Sequence, residues 1–241
     1  MLTIKNVSAI IDATDLLTDI SLQIDPGEIH AILGPTGSGK SSLAHLISGH
    51  PDISQTEGTI TYKRKDLSKL DSSSRSAMGI YIAFQTVPEI IGLSNFDFAK
   101  LILKTKKDKR TDHEIERDYK TLSTMLALRP NHGSLMMDYD ELAPSEFRKN
   151  EILLMLLINP SLIIIDEIDT DLDEEDIAVV GAVLNGYIDD KSSLILITHN
   201  RTLLDIVVPT HVHILVNGKI KEQGGSELYK RIIEDGYSQF S

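Results

Sequence analysis

Gly34-Pro35-Thr36-Gly37-Ser38-Gly39-Lys40-Ser41 satisfies the pattern G-x-x-x-x-G-K-[ST] at every specified position. Ahead of it, Ile29 to Leu33 is an apolar run of strand length; behind it, Ser42-Leu43-Ala44-His45-Leu46-Ile47 has the composition of a helix's first turns. Strand, glycine loop and helix in that order make a phosphate cradle. The glycines let the backbone curl so that successive N–H groups face one phosphate, and the helix N-terminus adds its positive end. In such a loop Lys40 reaches the β- and γ-phosphates of a nucleoside triphosphate, and the Ser41 hydroxyl takes one position on Mg²⁺. Gly34, Pro35, Thr36, Gly37, Ser38, Gly39, Lys40, Ser41 and Ser42 are the expected nucleotide contacts.

At 241 residues the chain suits one large α/β domain with a buried apolar interior. It has 24 Lys plus Arg against 36 Asp plus Glu, a net charge of -12, which argues against binding to nucleic acid or to an anionic membrane. The one basic run, Lys104 to Arg110, reads as a solvated link beside an exposed helix. The chain has no cysteine, which removes disulfides, cysteine metal sites and thiol chemistry, so iron or zinc chemistry is expected to belong to a partner. No apolar stretch has bilayer-spanning length, and Met1-Leu2-Thr3-Ile4-Lys5 enters a strand directly. A cytoplasmic protein without direct membrane insertion is expected.

Outward from the loop, Leu2 to Val7 and Ile20 to Ile24 alternate apolar and polar residues and predict an antiparallel opening. Gly58 to Tyr62 and Gly79 to Phe84 read as further strands, the second ending at Gln85. From about Ser94 to Leu128 the spacing turns helical, with Thr111 and Glu114 at capping-box distance. Glu146 to Ile158 predicts an interior helix stopped by Asn159-Pro160, followed by a buried strand, Ser161 to Ile165. A helix from about Asp173 to Ile188, a strand Leu194 to Thr198 and a short helix after Asn200 continue the strand-then-helix rhythm of a parallel sheet. Val212–Val216 and Lys219–Gln223 flank Asn217-Gly218 as a hairpin, and Glu227 to Ile233 is a final helix.

The second half of the site is expected at strand ends, where open α/β sheets place their ligands. Asp166 and Glu167 close the Ile163-Ile164-Ile165 strand: Asp166 to hold Mg²⁺ through its water shell, Glu167 to polarise the water that attacks the γ-phosphate. His199 ends the next buried strand, level with Glu167. Gln85 offers an amide oxygen to the metal or the attacking water. The catalytic set is thus Glu167, His199 and Gln85, and the metal set is Ser41, Gln85 and Asp166.

The order of these parts, with Leu142 to Glu146 between the insert and Asp166, resembles that of ATP-binding-cassette (ABC) ATPases over the whole chain. Within that superfamily the chain looks most like the SufC-type ATPase of iron–sulfur cluster assembly. The narrower match is carried by Pro26-Gly27-Glu28-Ile29-His30-Ala31-Ile32, Ala83-Phe84-Gln85 with Pro88-Glu89-Ile90 and Gly92-Leu93-Ser94-Asn95, Arg148-Lys149-Asn150-Glu151-Ile152-Leu153, and Tyr229-Lys230 through Glu234-Asp235-Gly236-Tyr237. The resemblance implies a P-loop NTPase fold of ABC ATPase type: a mostly parallel sheet core, an antiparallel β subdomain and a helical insert. Residues 1–93 and 160–241 would form the core and subdomain, and 94–159 the insert with the signature region, all within one domain, 1–241. It also implies ATP and Mg²⁺ as cofactors, docking on SufB- or SufD-like scaffold proteins, and ATP-dependent pairing with a second ATPase subunit.

Three departures qualify that picture. The family's Leu-Ser-Gly-Gly-Glu signature stands here as Leu142-Ala143-Pro144-Ser145-Glu146, in which Ala143 has no hydroxyl and Pro144 no N–H; weak turnover is expected. Thr170-Asp171-Leu172-Asp173 replaces Ser-Gly-Leu-Asp and is expected to add the Asp171 carboxylate near the dimer seam. From Asp166 to Asp176, 8 of 11 residues are acidic; Asp173 to Asp176 fit a helix start, but Asp171 does not. The usual adenine-stacking aromatic is missing where Ile10-Ile11-Asp12 stands. A detached nucleotide-binding subunit of an ABC transporter, and a nucleotide-binding structural subunit with little hydrolysis, remain open as other readings.

Overall fold

Leu162 to Ile165 are wholly buried, as a continuous apolar strand must be when both faces of its sheet are covered. The computed structural model describes residues 1–83, 90–137 and 140–240. The elements in chain order are β1 (Leu2–Ile11), β2 (Thr14–Ile24), β3 (Ile29–Leu33), α1 (Lys40–Ser48), β4 (Ser54–Tyr62), β5 (Lys65–Asp66), α2 (Ser72–Ala77), β6 (Ile80–Ala83), β7 (Ile90–Ser94), α3 (Asn95–Thr105), α4 (Asp112–Met125), β8 (Met136–Met137), α5 (Pro144–Ile158), β9 (Leu162–Asp166), α6 (Glu174–Tyr187), β10 (Ser193–Ile197), α7 (Arg201–Ile206), β11 (His211–Val216), β12 (Lys219–Gly224) and α8 (Ser226–Asp235). The main sheet runs β12-β11-β3-β10-β9-β6. It is parallel from β11 to β6, with β12 antiparallel at its edge. A second, antiparallel sheet runs β2-β1-β4-β5, and β7 pairs with β8. The expected α/β core with an antiparallel β subdomain is present.

The two faces of the main sheet sort the core by alternation. Ile29, Ala31, Leu33, Ile163 and Ile165 pack with the buried faces of α5, α6, α7 and α8. Ile32, Leu162 and Ile164 point the other way, onto α1 and the antiparallel sheet.

Local chemistry fixes most boundaries. The β1–β2 turn is Asp12-Ala13, both at positive φ, and Asn217-Gly218 turns β11 into β12 the same way. The Thr111 hydroxyl accepts from the Glu114 N–H at 3.3 Å, and the Glu114 carboxylate accepts from the Thr111 N–H at 2.7 Å, so the capping box that starts α4 is formed. Asn159 ends α5 in the left-handed conformation, and Asp173 and Asn200 cap α6 and α7. The basic run links α3 to α4 and is partly tied down: Lys106 donates to Ser76, and Arg110 to Asp108, Asp118 and the Leu157 carbonyl.

Two pieces lack a strong sequence signal. α2 is a serine-rich turn of helix whose value lies in Arg75, buried at 6% exposure. Its guanidinium donates to the Leu46, Ile47, Leu67 and Leu70 carbonyls at 2.7, 3.0, 2.8 and 2.9 Å. Leu46 and Ile47 lie in the last turn of α1, where a cation answers the helix's negative end. Within the insert, its first part is pinned to α5 by a buried polar chain: His132 Nε2 lies 3.0 Å from Asn150 Oδ1, and the Asn150 amide donates to Asn95 Oδ1 at 3.2 Å.

Candidate nucleotide site

The phosphate loop leaves β3 at Gly34 with φ 159°, and a Cβ there would run into the Leu215 carbonyl oxygen of β11. Only glycine fits that approach. Gly39, at φ 103°, caps α1 in the left-handed conformation. The loop is stitched to both sheets: the Gly218 N–H donates to the Ser38 carbonyl at 2.9 Å, and the Thr18 N–H donates to the Gly218 carbonyl at 2.8 Å. A cleft of about 600 Å³ opens here, walled by the loop, Glu167, the β2 residues Asp15, Leu16 and Thr18, and the Asn217-Gly218 turn.

Lys40 is buried, and its Nζ donates to the carbonyls of Gly34 at 3.0 Å and Pro35 at 3.1 Å. Burial lowers its pKa, while Glu167 and Asp166 pull it back up. Asp166 ends β9 at 2% exposure, and its Oδ1 has no hydrogen-bond partner among the described residues. Burial pushes this carboxyl up and Glu167 adds to the rise; the Ser41 hydroxyl and Lys40 act against it. A desolvated carboxylate with an unused oxygen beside a serine hydroxyl is the donor set a hard, oxygen-seeking cation requires.

Glu167 follows at φ 51°, its N–H bonded to the Ile197 carbonyl at 2.9 Å. That turn sets its carboxylate 3.7 Å from His199 Nε2. Burial, then Lys40, holds the His199 imidazole below its ordinary range against the pull of Glu167 and Asp169, so the ring is neutral near pH 7. The Thr198 hydroxyl donates to Asp169 at 2.7 Å and locks the end of β10 to the loop after β9. Lys40, Ser41 and Glu167 thus line one cleft, with Asp166 beside Ser41 and His199 beside Glu167. Gln85 lies outside the described residues; β6 ends at Ala83, paired with Ile165.

The signature segment starts α5. Ala143 is the N-cap, in extended geometry but with no side chain to accept, and Pro144 is the first helical residue. The Glu146 carboxylate accepts from the Ala143 N–H at 3.1 Å and pairs with Arg129 at 2.5 Å. The Asp171 carboxylate, expected near the dimer seam, pairs at 2.9 Å with Arg148 of α5, itself nearly buried. Lys149 pairs likewise with Asp176 at 2.8 Å. Two cations one turn into the signature helix thus answer part of the acidic run.

Asp15, Leu16, Thr18, Asn217 and Gly218 were not singled out from the sequence as site residues. Asn217-Gly218 carried only a turn signal, and the β2 residues reach the cleft through tertiary docking of the small sheet. Among the described residues lining the cleft, Leu16 offers apolar surface.

The family model described as ABC transporter matches residues 17–170. The probable ATP-dependent transporter ycf16 of Cyanophora paradoxa is 38% identical over 98% of this chain and 93% of its own length. The probable ATP-dependent transporter SufC of Escherichia coli strain K12 is 36% identical over 98% of this chain and 97% of its own. Among solved structures, a dimeric ATP-binding cassette in a post-hydrolysis state bound to ADP and phosphate superposes with TM-score 0.81 at 21% identity, covering 94% of this chain and 99% of that one. An ATP-binding subunit of an ABC transporter gives TM-score 0.82 at 23% identity, covering 97% and 93%. Among the described residues, no helix is long and apolar enough to cross a membrane.

Proposed function

The chain belongs to the ABC ATPase family, and from that premise we propose that this ATPase is the ATP-hydrolysing subunit of a SUF-like iron–sulfur cluster assembly complex. It docks on SufB- or SufD-like scaffold proteins, and ATP-driven pairing with a second ATPase subunit changes the scaffold's shape. The observation that carries this reading is the likeness to the Escherichia coli protein named SufC, which extends over 98% of this chain. A chain without cysteine suits a role in which the cluster is built on the partner. Residues 1–93 and 160–241 act as the nucleotide-binding core and β subdomain, and 94–159 as the insert.

Within the site, Gly34 to Ser42 hold the phosphates, and Lys40 exchanges the Gly34 and Pro35 carbonyls for phosphate oxygens. Ser41 and Asp166, with Gln85, hold Mg²⁺, which supplies charge neutralisation when bound. Glu167 orients and polarises the attacking water, and His199, a neutral imidazole beside it, contacts the γ-phosphate. The Ala143-Pro144 replacement withholds donors that would face the partner subunit's nucleotide, so turnover is weak. Copurification from the native source tests the reading: SufB- or SufD-like partners support it. The word transporter in the relatives' names favours a second reading, a detached nucleotide-binding subunit, which recovery of a membrane permease would establish. ATP turnover by the assembled complex separates both from a structural subunit with little hydrolysis.

A further inference from the structure

At the end of the main sheet opposite the phosphate loop, strand periodicity and register gather four side chains. Glu28 and His30 are two residues apart where β3 begins, and His211 and His213 are two apart on β11, so each pair shares a face. β3 and β11 pair in parallel with His211 opposite His30. The result is a ladder of rings: His30 stacks on His211 at 4.6 Å and on His213 at 5.0 Å between centroids. His30 Nε2 lies 2.9 Å from Glu28 Oε2, and His211 Nδ1 lies 4.0 Å from Glu28 Oε1. One ligand atom from each of Glu28, His30 and His211 falls within 4.8 Å of the other two.

We propose that Glu28, His30 and His211 form a binding site for a divalent first-row transition ion, separate from the nucleotide cleft. Two imidazoles and one carboxylate are a common ligand set for such ions; bond lengths of about 2.0–2.2 Å put ligand atoms roughly 3.2–3.6 Å apart around a tetrahedral centre, so on binding the His30–Glu28 pair opens slightly and the wider pairs close by about 1 Å. The ion takes the place of the proton between His30 and Glu28. Coordination through His30 Nε2 leaves that ring's proton on Nδ1, where His213 Nε2, 2.8 Å away, accepts it. His213 is then the orienting partner that ligating histidines commonly have. His30 is 1% exposed, whereas the Glu28 and His211 side chains are 26% and 45% exposed; the site is anchored inside and open on one side. The expectation that zinc or iron chemistry belongs to a partner rested on the lack of cysteine, and this ligand set needs no sulfur.

The test uses the purified full chain, free of nucleotide, titrated with Zn²⁺ against a chelating indicator and with Co²⁺ followed by visible absorption. The native chain is expected to take up one ion, with the Co²⁺ band marking nitrogen ligation. Glu28→Gln and His211→Ala alter side chains that reach solvent and are each expected to weaken binding by at least about tenfold to a hundredfold, the range seen even for outer-shell partners. Metal-free thermal melts matching the native chain show that the variants fold. Asp166→Asn is expected to leave the Zn²⁺ affinity unchanged. No stoichiometric uptake, native affinity in both folded ligand variants, or loss of the ion in Asp166→Asn instead would each overturn the proposal.

Discussion

Restoring the signature segment tests whether the start of α5 limits turnover. The triple variant Ala143→Ser, Pro144→Gly, Ser145→Gly returns one hydroxyl and one N–H to the helix N-terminus. A donor aimed at charge developing in the transition state contributes about 10²- to 10³-fold in rate. Donors acting on one group of oxygens are not additive, so the expected gain is at least about a hundredfold. Folding should barely change. Ala143 already has extended cap geometry, with φ -67° and ψ 153°, so a serine there would accept from the Glu146 N–H and add about 1 kcal/mol. Glycine at the next two positions costs roughly 0.5–1 kcal/mol each. The net effect, within roughly 1 kcal/mol, moves the melting temperature by about 2–4 °C in a chain of this size. The assay is steady-state ATP hydrolysis by the assembled complex containing either chain. Equal rates would show that Ser145, or the loop as it stands, already serves the partner's nucleotide, and the reasoning would fail.

Lys40→Ala should abolish Mg-ATP binding, because no other cation lines the cleft among its described residues; titration calorimetry showing native affinity would remove the site's central assumption. The chain alone should be a monomer by light scattering, since its charge of -12 opposes self-association without a scaffold, and a stable nucleotide-free dimer would refute this. In the sequence, Val87, Ile90, Ile91 and Leu93 cluster beside Pro88 as an apolar group of the kind that marks an interaction site, so charge substitutions at Ile90 and Ile91 should weaken scaffold capture while leaving folding intact; unchanged capture would assign those residues to the insert's own packing. His132 is buried, and burial lowers its pKa below 6.5. Its stabilising neutral form is fully present above pH 6.5 and is lost as pH falls, because protonation would place a charge on Nδ1, which has no partner among the described residues. Denaturant melts should therefore lose stability on acidification below about pH 6.5, and His132→Gln should flatten that slope; an identical slope would clear His132.

What the sequence revealed follows the range of each signal. Short-range codes were legible: Thr111 with Glu114, Asn217-Gly218 and Asn159-Pro160 act within a few residues of themselves, and each built the expected cap, turn or stop. The phosphate loop and Asp166-Glu167 were legible because both lie at ends of continuous apolar strands, which can only be interior. The Asp171 ion pair was not legible because its partner, Arg148, is 23 residues away in sequence and is brought close only by packing of α5 on the loop after β9. The Glu28, His30 and His211 group was invisible for the same reason: the register of β3 against β11 brings together residues 181 and more positions apart. α2 gave no periodic signal, since its stabilising contacts run from one arginine to backbone carbonyls rather than from an apolar stripe.

Arg75 makes α1 a strut with fittings of opposite polarity at its two ends. Nine residues of helix span about 13.5 Å, with phosphate expected at one tip and a guanidinium already seated at the other. A planar fork satisfies carbonyls from α1 and from the Leu67–Leu70 connection together, and lysine, a single point donor on a flexible stem, has no equivalent grip. The grip also makes the β5–α2 connection, remote from the nucleotide, part of what sets the tilt of the helix that presents Lys40 and Ser41. Lengthening that connection by a residue would therefore register first as a change in nucleotide residence time, with every side chain that touches the nucleotide unaltered.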